Sequence, residues 1–245
     1  MPITLSDTID DLLLRRTQDS GRLNSLATFC IDEFARHGLK GVRGGKADEV
    51  GIRGFGRQKD WDLAYVLADK PRLLVSLKSI LKNLSGVVPN RLDDLMGEAA
   101  NVQQLSPEVV IGYVVIMDEA EDSVRRDGTG TWSDHFEGNL RKIAVRRAPL
   151  WNQGLIEAIW LIRVDSRRPA GSRISDAVDM DAKGTTFFRA LLDELYLREP
   201  TLQKPVPSAT QRPSITPALS LPFWAANEPR SSRLSTDLIR DRHHV

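Results

Sequence analysis

Apolar residues recur at helical spacing in some segments of the chain and at strand spacing in others, and their order predicts the fold. Residues 24–37 carry apolar side chains three and four positions apart, which predicts a helix that ends at Gly38. Further helices are predicted over residues 90–104, 133–147 and 185–197, and strands over residues 61–67, 72–78, 109–117 and 157–164. Residues 38–56 are rich in glycine and basic side chains and are predicted to contain one strand.

The first two predicted strands are expected to pair as an antiparallel hairpin. The segment between them, Ala68-Asp69-Lys70-Pro71, has the composition of a turn. A register with Leu67 opposite Arg72 follows if the turn is centred near Asp69.

This register gathers polar side chains at the end of the hairpin that lies away from the turn. Asp62 falls opposite Leu77, within one register step of Ser76 and Lys78. Because successive strand residues point to opposite faces, Ser76 and Lys78 share one face and Val75 and Leu77 the other. An unpaired buried carboxylate is too costly, so Asp62 is expected either at a solvated edge or beside a cation.

The strand predicted over residues 109–117 is apolar at every position but one. Such a continuous apolar run is typical of a strand that helices cover on both faces. The sequence therefore predicts an α/β fold with a mixed central β-sheet flanked by helices.

The last 46 residues, 200–245, differ from the folded domain predicted over residues 1–199. They contain seven of the 13 prolines, six serines and no glycine, and few apolar side chains. This composition predicts a tail that is flexible or that docks through Leu221-Pro222-Phe223-Trp224 on its own domain or on a second copy.

Charge is nearly balanced over the chain but unevenly distributed. Lys and Arg number 34 and Asp and Glu 33, yet the segment from Arg36 to Arg91 has 12 basic and five acidic residues. This local excess of seven positive charges predicts an anionic partner such as nucleic acid. Basic glycine-rich loops also occur on surfaces that bind no nucleic acid, so the excess does not by itself identify the partner.

The remaining composition favours a soluble, cytoplasmic protein. Cys30 is the single cysteine, which excludes an internal disulfide and fits a reducing compartment, and it lies on the apolar face of the first helix. No apolar run reaches the roughly 18 residues of a membrane-spanning helix, and the first residues lack a signal-peptide pattern.

Four polar residues fall on one face of the helix predicted over residues 90–104. Arg91, Asp94, Glu98 and Asn101 are three and four positions apart. Such a stripe is either a solvated surface or, if it faces the hairpin, a source of carboxylates for a site.

The residues of the hairpin and this helix together resemble the PD-(D/E)xK nuclease superfamily, in particular the type II restriction endonucleases of prokaryotes. In that family an Asp on one strand of a hairpin is followed by (D/E)-x-K on the next strand. Here Trp61-Asp62 stands in place of Pro-Asp and Ser76-Leu77-Lys78 in place of (D/E)-x-K. The resemblance covers residues 24–117.

Ser76 is a departure from the family pattern, because a serine supplies no second carboxylate. Some restriction endonucleases have Ser at this place and take the missing carboxylate from a Glu on the following helix. Glu98 matches that Glu, with Asp94 one turn earlier as a reserve.

The resemblance implies a Mg²⁺ site and assigns roles to these residues. Asp62, Glu98 and the carbonyl of Leu77 would hold one or two Mg²⁺ ions, which favour oxygen ligands. Lys78 would orient a metal-bound water or stabilise charge on the phosphate, and Ser76 would hydrogen-bond a ligand.

The expected partner is double-stranded DNA, cut by a homodimer whose two sites act on the two strands. A cognate DNA methyltransferase acting on the same sequence would be a further partner. DNA contacts are predicted for six basic residues: Arg43, Lys46, Arg53, Arg57, Lys82 and Arg91. Further basic residues in 118–153, among them Arg146, are expected to reach bases or phosphates.

Two other functions remain open from the sequence. With Ser76 in place of a carboxylate, the chain fits a catalytically inactive DNA-binding or assembly protein on the same fold. The other is a scaffold protein that has no nucleic-acid role.

Overall fold

The central β-sheet is mixed, as the sequence predicts, and five strands build it. The structure, a computed structural model, describes residues 3–202 apart from 16–18, 20, 47, 150 and 152. Within this part, the strands are β1 (Arg43–Gly44), β2 (Val50–Arg53), β3 (Gln58–Trp61), β4 (Leu63–Leu67), β5 (Lys70–Ile80), β6 (Val110–Asp118) and β7 (Ala158–Val164). The central sheet has the order β1-β4-β5-β6-β7, and β2 pairs with β3 in a separate antiparallel hairpin. Strands β1, β4 and β5 are antiparallel neighbours, whereas β5, β6 and β7 run parallel.

Helices cover both faces of this sheet and complete the α/β fold. They are α1 (Leu5–Leu14), α2 (Asn24–Arg36), α3 (Leu84–Gln103), α4 (Trp132–Ile143) and α5 (Ala177–Arg198), with a short 3₁₀ helix at Glu119–Glu121. Helices α1, α2 and α5 pack in one apolar core, and α3 and α4 pack in a second core on the opposite face, together with the β2–β3 hairpin. None of the described helices is both long and apolar enough to span a bilayer.

Strand β6 lies between these two cores, and all nine of its residues are buried. Val114 belongs to the core of α5, whereas Val115 belongs to the core of α3. Gly112 of the same strand has no room for a larger side chain, because a Cβ there would lie 2.7 Å from Leu191 of α5 and 2.8 Å from Phe187. The prediction of a strand buried on both faces is therefore confirmed.

Several predicted helix bounds are wrong. Helix α3 begins six residues before the expected start at residue 90, because buried Leu84 and Val88 anchor its first turns ahead of Pro89. Helix α5 begins eight residues before the expected start at 185 and continues through Gly184, where a Cβ would lie 2.7 Å from the Trp160 ring. Helix α4 ends at Ile143, four residues before the expected end.

Helix α1 was not predicted at all. It begins after Thr4, whose hydroxyl accepts a hydrogen bond from the amide of Asp7 while the Asp7 carboxylate accepts one from the amide of Thr4. This reciprocal cap satisfies amides that the first helical turn leaves unpaired. Ile9 and Leu12 are fully buried against the rest of the core.

The β4–β5 hairpin exists, but its predicted register is wrong. Leu67 pairs with Lys70 rather than with Arg72, across a two-residue turn in which Ala68 and Asp69 have positive φ values of 49° and 61°. A bulge between Tyr65 and Val66 shifts the register again, so that Leu63 pairs with Val75. Asp62 therefore lies level with Ser76 instead of Leu77, in the bend between β3 and β4 rather than within a strand.

The predicted tail falls almost wholly outside the described residues. Residues 200–202 are described, whereas 203–245 are not, and the apolar run 221–224 is among the latter. The division between residues 199 and 200 therefore stays a prediction.

Candidate active site

Asp62 is fixed at the point where the chain leaves the β2–β3 hairpin and enters the central sheet. Its Oδ2 atom accepts a hydrogen bond from the backbone amide of Leu77 at 2.8 Å and one from Ser76 Oγ at 3.3 Å. Its backbone carbonyl accepts a hydrogen bond from the amide of Gly45 at 3.2 Å. A Cβ at Gly44 would collide with the same carbonyl, so this glycine is required for β1 to approach β4.

Lys78 lies on the same face of β5 as Ser76, as strand alternation predicts. Its Nζ atom is 3.9 Å from Asp62 Oδ2, and both side chains are partly exposed. Ser76 is fully buried, and its neighbours Val75 and Leu77 belong to the opposite core. The structure thus brings Asp62, Ser76 and Lys78 together at one end of the β4–β5 hairpin.

Glu98 of α3 is largely buried and is not part of a solvated stripe. Its side chain is 12 % exposed, compared with 49 % for Asp94, which pairs with Arg91 at 2.8 Å. The Glu98 carboxylate forms an ion pair with the ammonium of Lys59 on β3. Of the two acids considered for the site, Glu98 is the one that points inward.

Lys59 connects Glu98 with the hairpin residues, and sequence reasoning missed it. Its side chain is 16 % exposed, and its Nζ atom lies 4.5 Å from the centroid of the Trp61 ring. Burial lowers the pKa of Lys59, and the positive charge of Lys78 lowers it further, while Glu98 and Asp62 act in the opposite direction. The two lysines and the two carboxylates therefore lie within electrostatic reach of one another.

Tyr113 on β6 is a second residue that sequence reasoning missed. It is the β6 partner of Ser76 in the parallel ladder and is fully buried. Burial raises the pKa of its hydroxyl, and the negative charge of Glu98 raises it further. No described residue forms a hydrogen bond with this hydroxyl. It is therefore a buried hydroxyl within electrostatic reach of Glu98 and Asp62.

The carboxylates of Asp62 and Glu98 are the groups of this site that could hold a divalent cation such as Mg²⁺. No group of three His, Cys, Asp or Glu side chains gathers anywhere in the described part of the chain. Mg²⁺, however, is commonly held by one or two carboxylates, with water and substrate phosphates completing its shell. The amide and carbonyl of a strand residue point to the same side, so the Leu77 carbonyl is directed to the side where Asp62 accepts from the Leu77 amide.

The six residues predicted to contact DNA differ in how they are held. Arg43 is paired with Asp48 at 3.1 Å, and Arg91 is paired with Asp94. The side chains of Lys46, Arg53, Arg57 and Lys82 are exposed. None of the described acids forms an ion pair with Arg53 or Arg57. The positive charges of Arg53 and Arg57 are therefore available to an anionic partner.

One arginine of residues 118–153 is unavailable for the contact expected of it. Arg146 is 2 % exposed and forms an ion pair with buried Glu157 at 2.7 Å. Arg198 pairs with the same carboxylate at 2.9 Å. Arg146 therefore has a role in the core rather than at a DNA surface.

Asn101 of α3 attaches the tip of the β2–β3 hairpin to the helix that carries Glu98. Its Oδ1 atom accepts hydrogen bonds from the amides of Gly56 at 2.7 Å and Arg57 at 3.3 Å, and its Nδ2 atom donates to the carbonyl of Arg57 at 2.9 Å. Its own carbonyl accepts from the amide of Phe55 at 2.8 Å. A Cβ at Gly54 would collide with the Asn101 side chain. Gly54 and Gly56 of the glycine-rich segment thus serve an internal contact.

Comparison with protein-family models finds no matching family, and comparisons with curated proteins and with solved structures find no significant match.

Proposed function

We propose that the protein is a Mg²⁺-dependent endonuclease that hydrolyses phosphodiester bonds in double-stranded DNA at specific sequences. The observation that carries the proposal is that Lys78 lies 3.9 Å from Asp62 while Lys59, the partner of Glu98, lies within electrostatic reach of both. Two carboxylates and a lysine beside an exposed basic hairpin match the requirements of phosphodiester hydrolysis, in which an anionic substrate resists attack by hydroxide. They also match the PD-(D/E)xK pattern in its variant with Ser76.

Each residue has a role that follows from its contacts. Asp62, Glu98 and the Leu77 carbonyl would hold Mg²⁺, which supplies charge neutralisation at the phosphate and a water of lowered pKa. Lys78 orients the attacking water and balances the negative charge that develops on the phosphate oxygens. Ser76 and the amide of Leu77 hold the Asp62 carboxylate in one orientation through their hydrogen bonds.

Lys59 keeps the site stable before a cation binds. Asp62 and Glu98 are both carboxylates, and their mutual repulsion would disfavour the folded arrangement if no positive charge lay near them. The ammonium of Lys59 pairs with Glu98 and so compensates one of the two charges. A cation held by Asp62 and Glu98 would add to that compensation.

Two such sites, one in each subunit of a dimer, could cut the two strands of a DNA duplex. We propose a homodimer, since a two-fold axis relates the two strands of a duplex and an isologous dimer has the same symmetry. A restriction enzyme in a prokaryotic cytoplasm also requires a DNA methyltransferase that protects the same sequence, and this methyltransferase would be the functional partner.

The direct test is incubation of the purified full-length protein with plasmid DNA, with and without Mg²⁺. We expect discrete fragments with Mg²⁺ and intact plasmid with EDTA. The Asp62→Asn variant should leave the plasmid intact, whereas Asp69→Asn should cut normally. Asp69 is a matched control because it lies on the same hairpin, is exposed in the turn, and has a positive φ that Asn also tolerates.

A protein that binds plasmid DNA but never cuts it would contradict the nuclease proposal. That result would favour the second candidate, an inactive DNA-binding or assembly protein on this fold, which Ser76 in place of a carboxylate supports. Absence of both binding and cutting would contradict both candidates.

A further inference from the structure

The tip of the β2–β3 hairpin presents an aromatic ring to solvent between two arginines. The turn has the sequence Arg53-Gly54-Phe55-Gly56-Arg57, and Phe55 is 75 % exposed. Both arginines are exposed and form no ion pair with a described residue. A ring this exposed loses the hydrophobic stabilisation that burial would give it, so its position is not explained by the core.

The tip is held rigidly although its side chains are exposed. Gly54 and Arg57 are joined by a hydrogen bond of 3.0 Å across the turn, and three amides of the turn donate to Asn101. Below the tip, Ile52 and Trp61 of the same hairpin are buried in the core that α3 shares. The ring is therefore presented on a fixed support, and ordering it on binding costs little conformational entropy.

The tip is also close to the candidate active site. Asn101, which holds it, lies three residues after Glu98 on α3, and residues at this spacing share one face of a helix. Lys59, which pairs with Glu98, lies two residues after Arg57 on the same hairpin. A strand of DNA whose phosphate lies at Asp62 and Glu98 would pass the hairpin tip.

We propose that Phe55 inserts against a base step of the bound DNA duplex while Arg53 and Arg57 bind the phosphates on either side. The inference rests on the proposed function for the identity of the nucleic acid, but it concerns binding rather than cleavage. An apolar wedge between base steps, flanked by basic side chains, is an established way for a protein to bend a duplex. The wedge would unstack bases near the scissile phosphate and adds a contact that tolerates different sequences.

The charge around Phe55 argues for DNA and against an apolar protein surface as its partner. Burying Arg53 and Arg57 in an apolar interface would remove two unpaired cations from water, which is costly. A DNA duplex offers a phosphate to each arginine and a base face to the ring.

Fluorescence of a Phe55→Trp variant tests the stacking directly. We expect mixed-sequence duplex DNA, added at low salt in EDTA so that no cleavage occurs, to quench the new indole because it stacks on a base. The matched control is Val178→Trp, since Val178 is 82 % exposed on α5, which packs on the opposite face of the sheet. Unchanged emission of Phe55→Trp, with binding of a labelled duplex detected by anisotropy, would overturn the proposal. Quenching by a single strand but not by the duplex would overturn the wedge as well.

Binding affinity gives the second measurement. Loss of one base–aromatic stack should weaken duplex binding by Phe55→Ala about tenfold, whereas Val178→Ala should bind as the wild type does. Equal affinity of Phe55→Ala and the wild type would contradict the inference. Both substitutions remove exposed side chains, so folding is preserved.

The combined results separate this inference from the proposed function. A wild type that cuts plasmid, together with an unquenched Phe55→Trp variant, would refute the wedge and leave the nuclease proposal standing. A wild type that never cuts, together with a quenched Phe55→Trp variant, would support the wedge and refute the nuclease proposal. A wild type that neither binds nor cuts DNA would overturn both.

Discussion

Lys59 and Glu98, 39 residues apart in the chain, form an ion pair in which neither side chain is more than 16 % exposed. The pair joins the β2–β3 hairpin to α3 and lies beside Asp62. A buried pair of this kind contributes little net stability, but the loss of one partner leaves the other charge uncompensated. A cation bound by Glu98 would therefore supply a second positive partner for a carboxylate that Lys59 already compensates.

The Lys59→Met substitution should make the stability of the protein depend on Mg²⁺. Without a cation, the unpaired Glu98 carboxylate should lower the free energy of unfolding by about 2 kcal/mol. Added Mg²⁺ should then raise the melting temperature of Lys59→Met more than that of the wild type, because binding to the folded state stabilises it. Thermal melts with EDTA and with Mg²⁺ measure both effects.

Lys183→Met is the matched control for this experiment. Lys183 pairs with Asp179 on the surface of α5, where both side chains are well exposed, and such a pair contributes at most about 0.5 kcal/mol. Its melting temperature should respond to Mg²⁺ as the wild type does. An equal response of Lys59→Met and Lys183→Met would show that Glu98 is not a cation ligand.

The choice between the two acids of α3 can be tested by amide substitutions. Glu98→Gln should reduce DNA cleavage by about 100-fold or more, since removal even of groups that only support a metal ligand costs about 10- to 100-fold. Asp94→Asn should cleave nearly as the wild type does, because Asp94 is about half exposed and paired with Arg91. Cleavage rates at saturating Mg²⁺ measure the difference, and the reverse order would move the ligand to Asp94.

Lys78→Ala should abolish cleavage while DNA binding survives. Its ammonium is placed to act on the reacting water or phosphate, but it is one of many basic groups that contribute to affinity. Plasmid cleavage and electrophoretic mobility of a labelled duplex measure the two properties separately. A Lys78→Ala protein that cuts as the wild type does would refute the site assignment, and Lys70→Ala serves as the control because Lys70 is exposed at the start of the same strand.

The sequence predicted the parts of this site that depend on local pattern. Ser76 and Lys78 share a face because strand side chains alternate, and β6 is buried because its apolar run leaves no polar face. The register was wrong because the turn has two residues with positive φ, one of them Ala68, a residue type that seldom adopts that conformation. Local pattern carries no signal for such a turn.

The contribution of Lys59 could not be predicted for a different reason. Strand β3 has the short, mostly polar sequence Gln-Lys-Asp-Trp, which shows no clear alternation. The ion pair with Glu98 arises only when α3 packs beside the hairpin, and this tertiary contact is not encoded in either segment alone. The sequence alone therefore does not distinguish the largely buried Lys59 from the exposed lysines.

Cys30 should be unreactive in the folded protein. It is fully buried in α2, and burial, assisted by the negative charge of Glu33, raises the pKa of its thiol. An unfolded thiol ionises near pH 8.5, so above that pH ionisation favours the unfolded state and stability decreases as the pH rises. A thiol reagent at pH 8 should label the protein in denaturant but not in buffer. Labelling at equal rates in both would contradict the placement of α2.

The hydrogen bonds of Asn101 make a prediction that distinguishes a held hairpin tip from a loose one. Asn101→Ala removes the acceptor of the Gly56 amide, so exchange of that amide with solvent should become faster. Asn101→Asp retains the acceptor oxygen and should preserve the protection of Gly56, although it loses the bond that Nδ2 donates to Arg57.

The Phe55 amide is the internal control, because it donates to the backbone carbonyl of Asn101, which neither substitution removes. We therefore expect Phe55 to keep its protection in both variants while Gly56 loses it only in Asn101→Ala. Loss of both protections in Asn101→Ala would mean that the side chain holds the whole tip against α3. Unchanged exchange of Gly56 in Asn101→Ala would show that Asn101 does not support the tip, and the rigid presentation of Phe55 would then need another cause.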